Sequence, residues 1–262
     1  MTMRTLLDQL QKPGAIRVEF QPILDISGGN THVYALEALA RGPKNTSLER
    51  PDVLFEYARR KGAESRLDLI VIGEVFKAAS SLPFDPAISL NIHGSTLSNI
   101  SGFAEKFLAS AEAHDIAPHR LMLEIVEHRA PWTMDTFRMT LQTLRDHGVR
   151  IAVDDLGVAA SNFRMIVDCR PDHLKVDRYI VHGCSKDRFR AAVLESIVTL
   201  ANACDAAPIA EGVEDTDDLT LITALGIELV QGWLYAPSMP APEISKYASA
   251  QPCSRALKGF KS

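Results

Sequence analysis

An α/β barrel of the (β/α)8 type, a single TIM-like domain with its site at the carboxyl ends of the strands, is the fold that this sequence predicts. The chain has 262 residues, a length at which such barrels still form one domain. Eight short, apolar, β-branched segments alternate with segments of helical periodicity. Hydrophobic residues make up 46% of the chain and charged residues 23%, the balance of a globular protein with a packed core.

Each strand is placed where apolar residues run together without helical spacing. The eight expected strands are residues 17–23, 33–39, 87–92, 121–126, 150–154, 173–176, 208–211 and 228–230. Helices are expected where apolar residues recur every three or four positions. The three clearest stripes are Met134, Phe137, Leu141 and Leu144, with Gly148 as the C-terminal cap; Phe189, Val193, Ile197 and Leu200; and Leu219, Ile222 and Leu225, ending at Gly226.

The barrel is expected over residues 17–248, with an N-terminal extension (1–16) and a C-terminal tail (249–262) for which partial disorder is an open alternative. The formal net charge of −5 argues against binding of long nucleic acid. The sequence lacks an apolar run of membrane-spanning length, and its start lacks the apolar region of a secretory signal, so we expect a cytoplasmic protein without membrane insertion. The four cysteines show no metal-ligand spacing and are expected to be free thiols.

Polar side chains lie at the ends of seven predicted strands. Burying such groups costs free energy, so this arrangement indicates a functional site. They are Glu37, Asn91, Glu124, the pair Asp154 and Asp155, Lys175, Glu211 and Gln231. In a closed barrel these side chains would meet at one mouth, where the carboxylates would repel one another unless divalent cations neutralised them. Oxygen ligands without thiols favour Mg²⁺ or Mn²⁺. The leading interpretation is a two-metal phosphoester hydrolase.

Each of these residues alone also fits a structural role. A single acidic residue at a strand end is often a helix N-cap or part of a surface ion pair, and Asp154-Asp155 would then be an acidic loop cap. Lys175 would be one member of a structural ion-pair network. Arg41 is a candidate donor to a substrate phosphate, with a salt bridge at the rim as its alternative.

The motifs in their order resemble the EAL family of cyclic di-GMP phosphodiesterases. The name motif is Glu37-Ala38-Leu39, within the segment YALEALAR, and the segment EFQPI precedes it. Downstream segments SLNIH, LEIVE, VDDLG, HLKVD, AEGVE and QGWLYAP follow the family pattern in sequence order. Any one of these motifs is short, but all of them together, from about Arg17 to Pro240, make the resemblance specific.

The resemblance implies a role for each matching residue. It implies two Mg²⁺ or Mn²⁺ ions, held by Glu37, Asn91, Glu124, Asp154, Asp155 and Glu211. It implies catalytic roles for Glu37, for Lys175, which would orient the attacking water, and for Glu211, which would be the general base. It further implies substrate contacts from Gln21, Arg41, Asp68 and Gln231, and supporting carboxylates at Glu127 and Glu214. The substrate would be cyclic di-GMP, the product linear pGpG, and the protein a homodimer.

One loop departs from the family pattern. The family sequence DFGTGYSS is replaced by DLGVAASN over residues 155–162, so a threonine and a glycine give way to Val158 and Ala159. Three functions therefore stay open: an active hydrolase, a cyclic di-GMP receptor that hydrolyses weakly or not at all, and a scaffold that acts through protein contacts. The retained carboxylates argue against the scaffold. The altered loop is the feature that distinguishes the active hydrolase from the receptor.

Overall fold

The computed structural model describes residues 10, 12, 14–29, 31–126, 134–157 and 162–250. Nine strands in these residues form one sheet, in the order β2-β3-β4-β5-β6-β7-β8-β1-β9, and β1 also pairs with β2. The strands are β1 Arg17–Asp25, β2 His32–Arg41, β3 Ala87–His93, β4 Leu121–Val126, β5 Arg150–Leu156, β6 His173–Val176, β7 Ala207–Ala210, β8 Leu229–Val230 and β9 Met239–Pro240.

The pairing of β1 with both β2 and β8 closes the first eight strands into a barrel, which confirms the predicted fold class. Strands β2 to β8 run parallel to one another. Strand β1 is antiparallel to both β2 and β8. The segment between β1 and β2 is too short for the crossover helix that parallel strands need, so these two strands form a hairpin instead.

Helices fill the connections between the parallel strands. They are α1 Pro51–Arg60, α2 Glu64–Ala79, α3 Gly94–Asn99, α4 Phe103–Glu112, α5 Met134–Asp146, α6 Asn162–Cys169, α7 Arg178–Val181, α8 Arg188–Ala203, α9 Thr216–Ala224 and α10 Ala241–Ala250. The predicted stripe of α5 is buried at Phe137, Leu141 and Leu144. Gly148 follows this helix with φ +90°, as expected of its C-terminal cap.

The stripe predicted for α8 is partly wrong. Phe189 is 68% exposed and Val193 is 42% exposed, although both have the expected helical spacing. The buried face is formed by Leu194, Ile197, Val198 and Ala201. This helix carries apolar residues along two adjacent stripes, and the spacing alone does not tell which of them packs on the barrel.

A layer of apolar side chains fills the lower part of the barrel interior. It contains one buried residue from each of seven strands: Ile23, Ala35, Ala87, Met122, Ala152, Ile209 and Leu229. Side chains two positions apart on a strand share a face. The side chains two positions further toward the carboxyl ends of the parallel strands therefore also face the barrel interior, and they form the layer above the apolar one.

Candidate functional site

Six of the predicted site residues occupy the layer directly above the apolar one. Each of these six lies two positions from a residue of that layer, toward the mouth of the barrel. The matching pairs are Ile23 with Gln21 on the antiparallel β1, Ala35 with Glu37, Met122 with Glu124, Ala152 with Asp154, Ile209 with Glu211 and Leu229 with Gln231. The two-residue period of a strand thus brings together side chains that are far apart in the sequence.

Lys175 lies at the centre of the cluster and is 1% exposed. Its Nζ is 2.5 Å from Glu211 Oε1, 2.6 Å from Glu124 Oε2, 3.3 Å from Asp154 Oδ1 and 3.5 Å from Glu37 Oε1. Burial acts to lower the pKa of this lysine, but the four surrounding carboxylates outweigh it and hold the pKa well above its usual value. Lys175 is therefore a permanent cation in the centre of the site.

Glu37 is held by two amides. Asn91 Nδ2 donates to its Oε1 at 3.1 Å, and Gln231 Nε2 donates to its Oε2 at 2.6 Å. Burial acts to raise the pKa of Glu37, but the charge of Lys175 and these two hydrogen bonds outweigh it and lower that pKa. Glu37 is thus an ionised, oriented carboxylate. The buried Oε1 of Gln231 has no hydrogen-bond partner among the described residues, which suits a donor on a ligand.

The pKa values of Glu124 and Glu211 are shifted in the opposite direction from that of Glu37. Burial, together with the negative charges of Glu37 and Asp154, raises the pKa of Glu124 well above its usual value despite Lys175. Burial raises the pKa of Glu211 well above its usual value too, and the charges of Asp154 and Glu37 add to the effect. One lysine therefore does not neutralise this cluster, and further positive charge at the site would favour its ionised form.

The Asp154-Asp155 pair lies where β5 loses its regular pairing with β6. The register shifts between Val153 and Leu156, and Asp155 has φ +55°, which lies in the left-handed region. Because the pleat is interrupted, both carboxylates reach the same side of the strand. Burial and the charge of Asp154 raise the pKa of Asp155 to about 6.

Oxygen atoms of Asp154, Asp155 and Glu211 all lie within 4.8 Å of one another. Three carboxylates at this separation match the oxygen ligands that hard divalent cations such as Mg²⁺, Mn²⁺ and Ca²⁺ prefer. Burial is the main cause of the raised pKa of Asp155, and the charge of Asp154 adds to it; a bound cation would oppose both by favouring the ionised carboxylate. The residues present thus fit a divalent cation.

Among the predicted substrate contacts, Gln21 and Arg41 lie at the mouth. Gln21 Nε2 donates to the carbonyl oxygen of Ala236 at 3.1 Å. Arg41 Nη2 lies 3.0 Å from Glu19 Oε2 and donates to Ser238 Oγ at 2.9 Å. Arg41 thus forms the rim salt bridge that the sequence left open as its alternative, with a partner that the sequence did not single out.

Asp68 is placed differently from the expected substrate contact. It is 1% exposed and both of its oxygens accept hydrogen bonds from protein groups. Oδ1 lies 2.9 Å from His93 Nδ1, and Oδ2 accepts from the His93 backbone N–H at 3.1 Å and from Thr96 Oγ1 at 2.5 Å. In this structure Asp68 therefore positions His93 on the cleft wall and offers no exposed oxygen to a ligand.

Of the two predicted supporting carboxylates, Glu214 accepts a hydrogen bond from Arg178 Nε at 2.7 Å at the rim. Glu127 lies outside the described residues, as do residues 158–161 of the altered loop and the tail beyond 250. The structure adds one side chain that the sequence reading did not select. Ser89 Oγ donates to Glu124 Oε1, and Ser89 lies two positions after Ala87, so the same strand period would have identified it.

A cleft of about 390 Å³ opens beside these carboxylates. Asn91, Asp154 and Asp155 are among the residues that line it, together with Phe55, His93 and Val71. Its volume is within the range of small-molecule sites. Within the part of the chain that is described, no helix is both long and apolar enough to cross a membrane.

The family model described as "EAL domain" matches residues 3–238. The chain is 28% identical over 244 residues to the probable cyclic di-GMP phosphodiesterase PdeA of Escherichia coli strain K12, a match covering 91% of this chain and 32% of PdeA. It thus spans about a third of that relative's length.

Solved structures share the fold. The PaMucR phosphodiesterase in complex with c-di-GMP is 25% identical, with a TM-score of 0.78 over 91% of this chain and 97% of that one. Klebsiella pneumoniae BlrP1, in a calcium/cy-diGMP complex, is 24% identical, with a TM-score of 0.76 over 92% of this chain and 59% of that one. At the latter identity the similarity supports the fold alone.

Proposed function

We propose that this chain, which belongs to the EAL domain family, is a phosphodiesterase that hydrolyses cyclic di-GMP to linear pGpG. The observation that carries the proposal is the inward-facing layer of acidic residues around Lys175, above the apolar floor of the barrel. A purely structural network would not need Asp155 in a left-handed conformation or so many carboxylates around one lysine. The names of PdeA and PaMucR supply the reaction and the ligand by analogy.

Two Mg²⁺ or Mn²⁺ ions are proposed at Glu37, Asn91, Glu124, Asp154, Asp155 and Glu211. When bound, such cations would supply the positive charge that stabilises the oxygens around the reacting phosphorus. The grouping of Asp154, Asp155 and Glu211 oxygens within 4.8 Å supports this assignment, and so does the incomplete neutralisation by Lys175.

In the proposed reaction a water attacks phosphorus, the bond from phosphorus to the 3′ oxygen breaks, and the product keeps a 5′ phosphate. Glu211 accepts the proton of the attacking water and later releases it to solvent, and the leaving 3′ oxygen takes up a proton from a solvent water. Lys175, 2.5 Å from Glu211 Oε1, orients this carboxylate and the attacking water. Arg41, Gln21 and Gln231 are proposed to bind the nucleotide, and the contact expected of Asp68 is proposed to be indirect, through His93.

A cyclic di-GMP receptor with weak or no hydrolysis is the second candidate. The observation in its favour is the altered sequence of residues 155–162, DLGVAASN, which begins at Asp155 itself. A receptor would keep the residues that bind the nucleotide and would differ from the enzyme only in its slow or absent hydrolysis.

We further propose that the protein is a homodimer. Large apolar side chains remain exposed on three consecutive helices, with Phe163 on α6, Tyr179 on α7 and Phe189 on α8 being 73%, 63% and 68% exposed. Exposed apolar side chains of this size favour association with a second copy where they share a surface. Sedimentation analysis of the parent and of a Phe163→Ser variant would test this directly, since a monomeric parent contradicts the proposal.

The deciding experiment incubates the purified chain with cyclic di-GMP and Mg²⁺ or Mn²⁺ and separates the products by chromatography. We expect pGpG to accumulate, and chelator to stop it. Binding of cyclic di-GMP without turnover would favour the receptor. Neither binding nor turnover would overturn both candidates.

A further inference from the structure

Arg41, Glu19 and Ser238 form a closed set of polar contacts at the barrel mouth, here named the Glu19 triad. Arg41 Nη2 lies 3.0 Å from Glu19 Oε2 and donates to Ser238 Oγ at 2.9 Å. Ser238 Oγ donates in turn to Glu19 Oε2 at 2.8 Å. Each member therefore contacts the other two.

The fold builds this triad from three separate parts of the chain. Glu19 lies in β1 two positions before Gln21, on the same face of the strand. Strand β9 pairs with β1 so that Glu19 faces Pro240, which brings Ser238 beside the carboxylate. The segment that supplies Ser238 also supplies the Ala236 carbonyl that binds Gln21. Two proposed substrate-binding side chains are thus held by one segment.

The charge of the triad opposes the binding of an anion. The side chains of Arg41 and Glu19 are 20% and 23% exposed, so a phosphodiester can approach both. Arg41 attracts the phosphodiester, whereas the carboxylate of Glu19, in direct contact with Arg41, repels it. An arginine that already has a carboxylate partner presents little net charge to a ligand.

We propose that Glu19 is an affinity-determining residue whose carboxylate neutralises Arg41 and weakens the binding of the phosphodiester substrate. This inference rests on the proposed function, in which Arg41 binds a substrate phosphate. Loss of the Glu19 charge then strengthens binding, whereas a residue that only braced Arg41 would have the opposite effect on removal. At a partly exposed site a single charge at this range changes affinity by about three- to tenfold.

The test compares the parent chain with Glu19→Gln, which removes the charge and keeps an acceptor oxygen for Arg41 and Ser238. Binding of cyclic di-GMP is measured by calorimetry with Ca²⁺ present, at low and at high NaCl. The matched control is Asp85→Asn, which removes the same charge from an ion pair with Arg120 at the opposite end of the barrel. An Arg41→Ala variant and the Glu19→Gln/Arg41→Ala double variant complete a double-mutant cycle, which measures how far the effect of Glu19 depends on Arg41.

We expect Glu19→Gln to lower Kd about three- to tenfold at low salt, and the gain to shrink at high salt because ions screen partly exposed charges. The gain should be smaller in the Arg41→Ala background, because only the direct repulsion between Glu19 and the phosphodiester is then relieved. Asp85→Asn should bind like the parent, and KM should fall more than kcat changes. Unchanged or weaker binding by Glu19→Gln, with a parent that binds, overturns the role of Glu19 alone. A parent that does not bind cyclic di-GMP overturns the proposed function, and the inference with it.

Discussion

The ammonium group of Lys175 lies 2.5 Å from Oε1 of Glu211, and this contact joins a buried lysine to a partly buried glutamate whose charge depends on it. Lys175 is 1% exposed, and the pKa of Glu211 is raised well above its usual value mainly by burial. The lysine therefore reduces the free-energy cost of placing several carboxylates inside a barrel. It does not remove that cost, because the pKa of Glu211 stays raised beside it.

Replacing Lys175 should destabilise the fold. In Lys175→Met the carboxylates of Glu37, Glu124, Asp154 and Glu211 lose their buried counter-ion, and removing one partner of a buried pair costs about 3 to 5 kcal/mol. We expect the free energy of unfolding, measured by urea denaturation in chelator, to fall by about that amount. Lys77→Met, at a lysine whose side chain is 66% exposed, is the control. A Lys175→Met variant as stable as the parent would show that the carboxylates simply take up protons without cost.

Divalent cations should raise the thermal midpoint of the parent, because a ligand that binds only the folded state stabilises it. We expect a higher midpoint with Mn²⁺ or Mg²⁺ than with chelator, and a smaller rise in Asp155→Asn, which lacks one of the three grouped carboxylates. Asp217→Asn, with an aspartate side chain that is 71% exposed, should respond like the parent. Equal midpoints with saturating cation and with chelator would contradict the metal assignment.

The strand period accounts for how much of the site could be predicted from the sequence. Glu37, Glu124, Asp154 and Glu211 follow the apolar floor residues by two positions, so recognising the strands was enough to place them on one face. The hairpin formed by β1 and β2 was not evident from the alternating pattern, because both segments read as ordinary strands.

Contacts between distant segments could not be predicted. Glu19 and Ser238 are 219 positions apart, and nothing in the sequence around either residue indicates that they meet. Asp68 was expected to face a ligand, and its burial against His93 and Thr96 depends on how α2 packs beside β3. Sequence patterns identify which face a side chain occupies, and tertiary packing decides what it touches.

Removing the proposed base should abolish turnover and leave the nucleotide bound. General base catalysis contributes about 100- to 10,000-fold, so Glu211→Gln should lower kcat by at least about 100-fold. Binding of cyclic di-GMP, measured separately, should persist because Arg41, Gln21 and Gln231 remain. Glu228→Gln, at an exposed glutamate before β8, is the control. Wild-type turnover by Glu211→Gln would assign the base to another residue.

Restoring the family sequence at the altered loop should increase turnover. The double variant Val158→Thr/Ala159→Gly returns a hydroxyl and a flexible backbone position just after Asp155. A misplacement of about 1 Å at a catalytic group can cost about 100-fold in rate, whereas the residues proposed to contact the nucleotide lie on other strands. Steady-state kinetics should show a larger rise in kcat than any change in affinity. A parent that is already as fast would show that the loop substitutions are neutral.

Acid should destabilise the protein through His173, at the opposite end of β6 from Lys175. The imidazole Nε2 lies 2.6 Å from Tyr34 Oη, and Arg150 Nη1 donates to the same oxygen at 2.6 Å. Burial, and then the positive charge of Arg150, lowers the pKa of His173 to about 3. The folded protein therefore keeps this histidine neutral over the range in which an unfolded chain protonates it, near pH 6.5.

The sign of the effect follows from which state binds the proton. Between pH 6.5 and pH 3 the unfolded chain carries a proton on His173 that the folded protein does not, so stability falls as pH falls. From pH 7 to pH 5 this one residue should remove about 2 kcal/mol from the free energy of unfolding. The raised pKa values of Asp155, Glu124 and Glu211 oppose this loss, so the measurement is the difference between variants. In urea denaturation at both pH values, the change in stability of His173→Gln should be less unfavourable than that of the parent by about 2 kcal/mol, whereas His147→Gln, an exposed control, should change like the parent. If His173→Gln lost as much stability as the parent, the histidine would have to be protonated in the folded state, and its contact with Tyr34 and Arg150 would have to rearrange in acid.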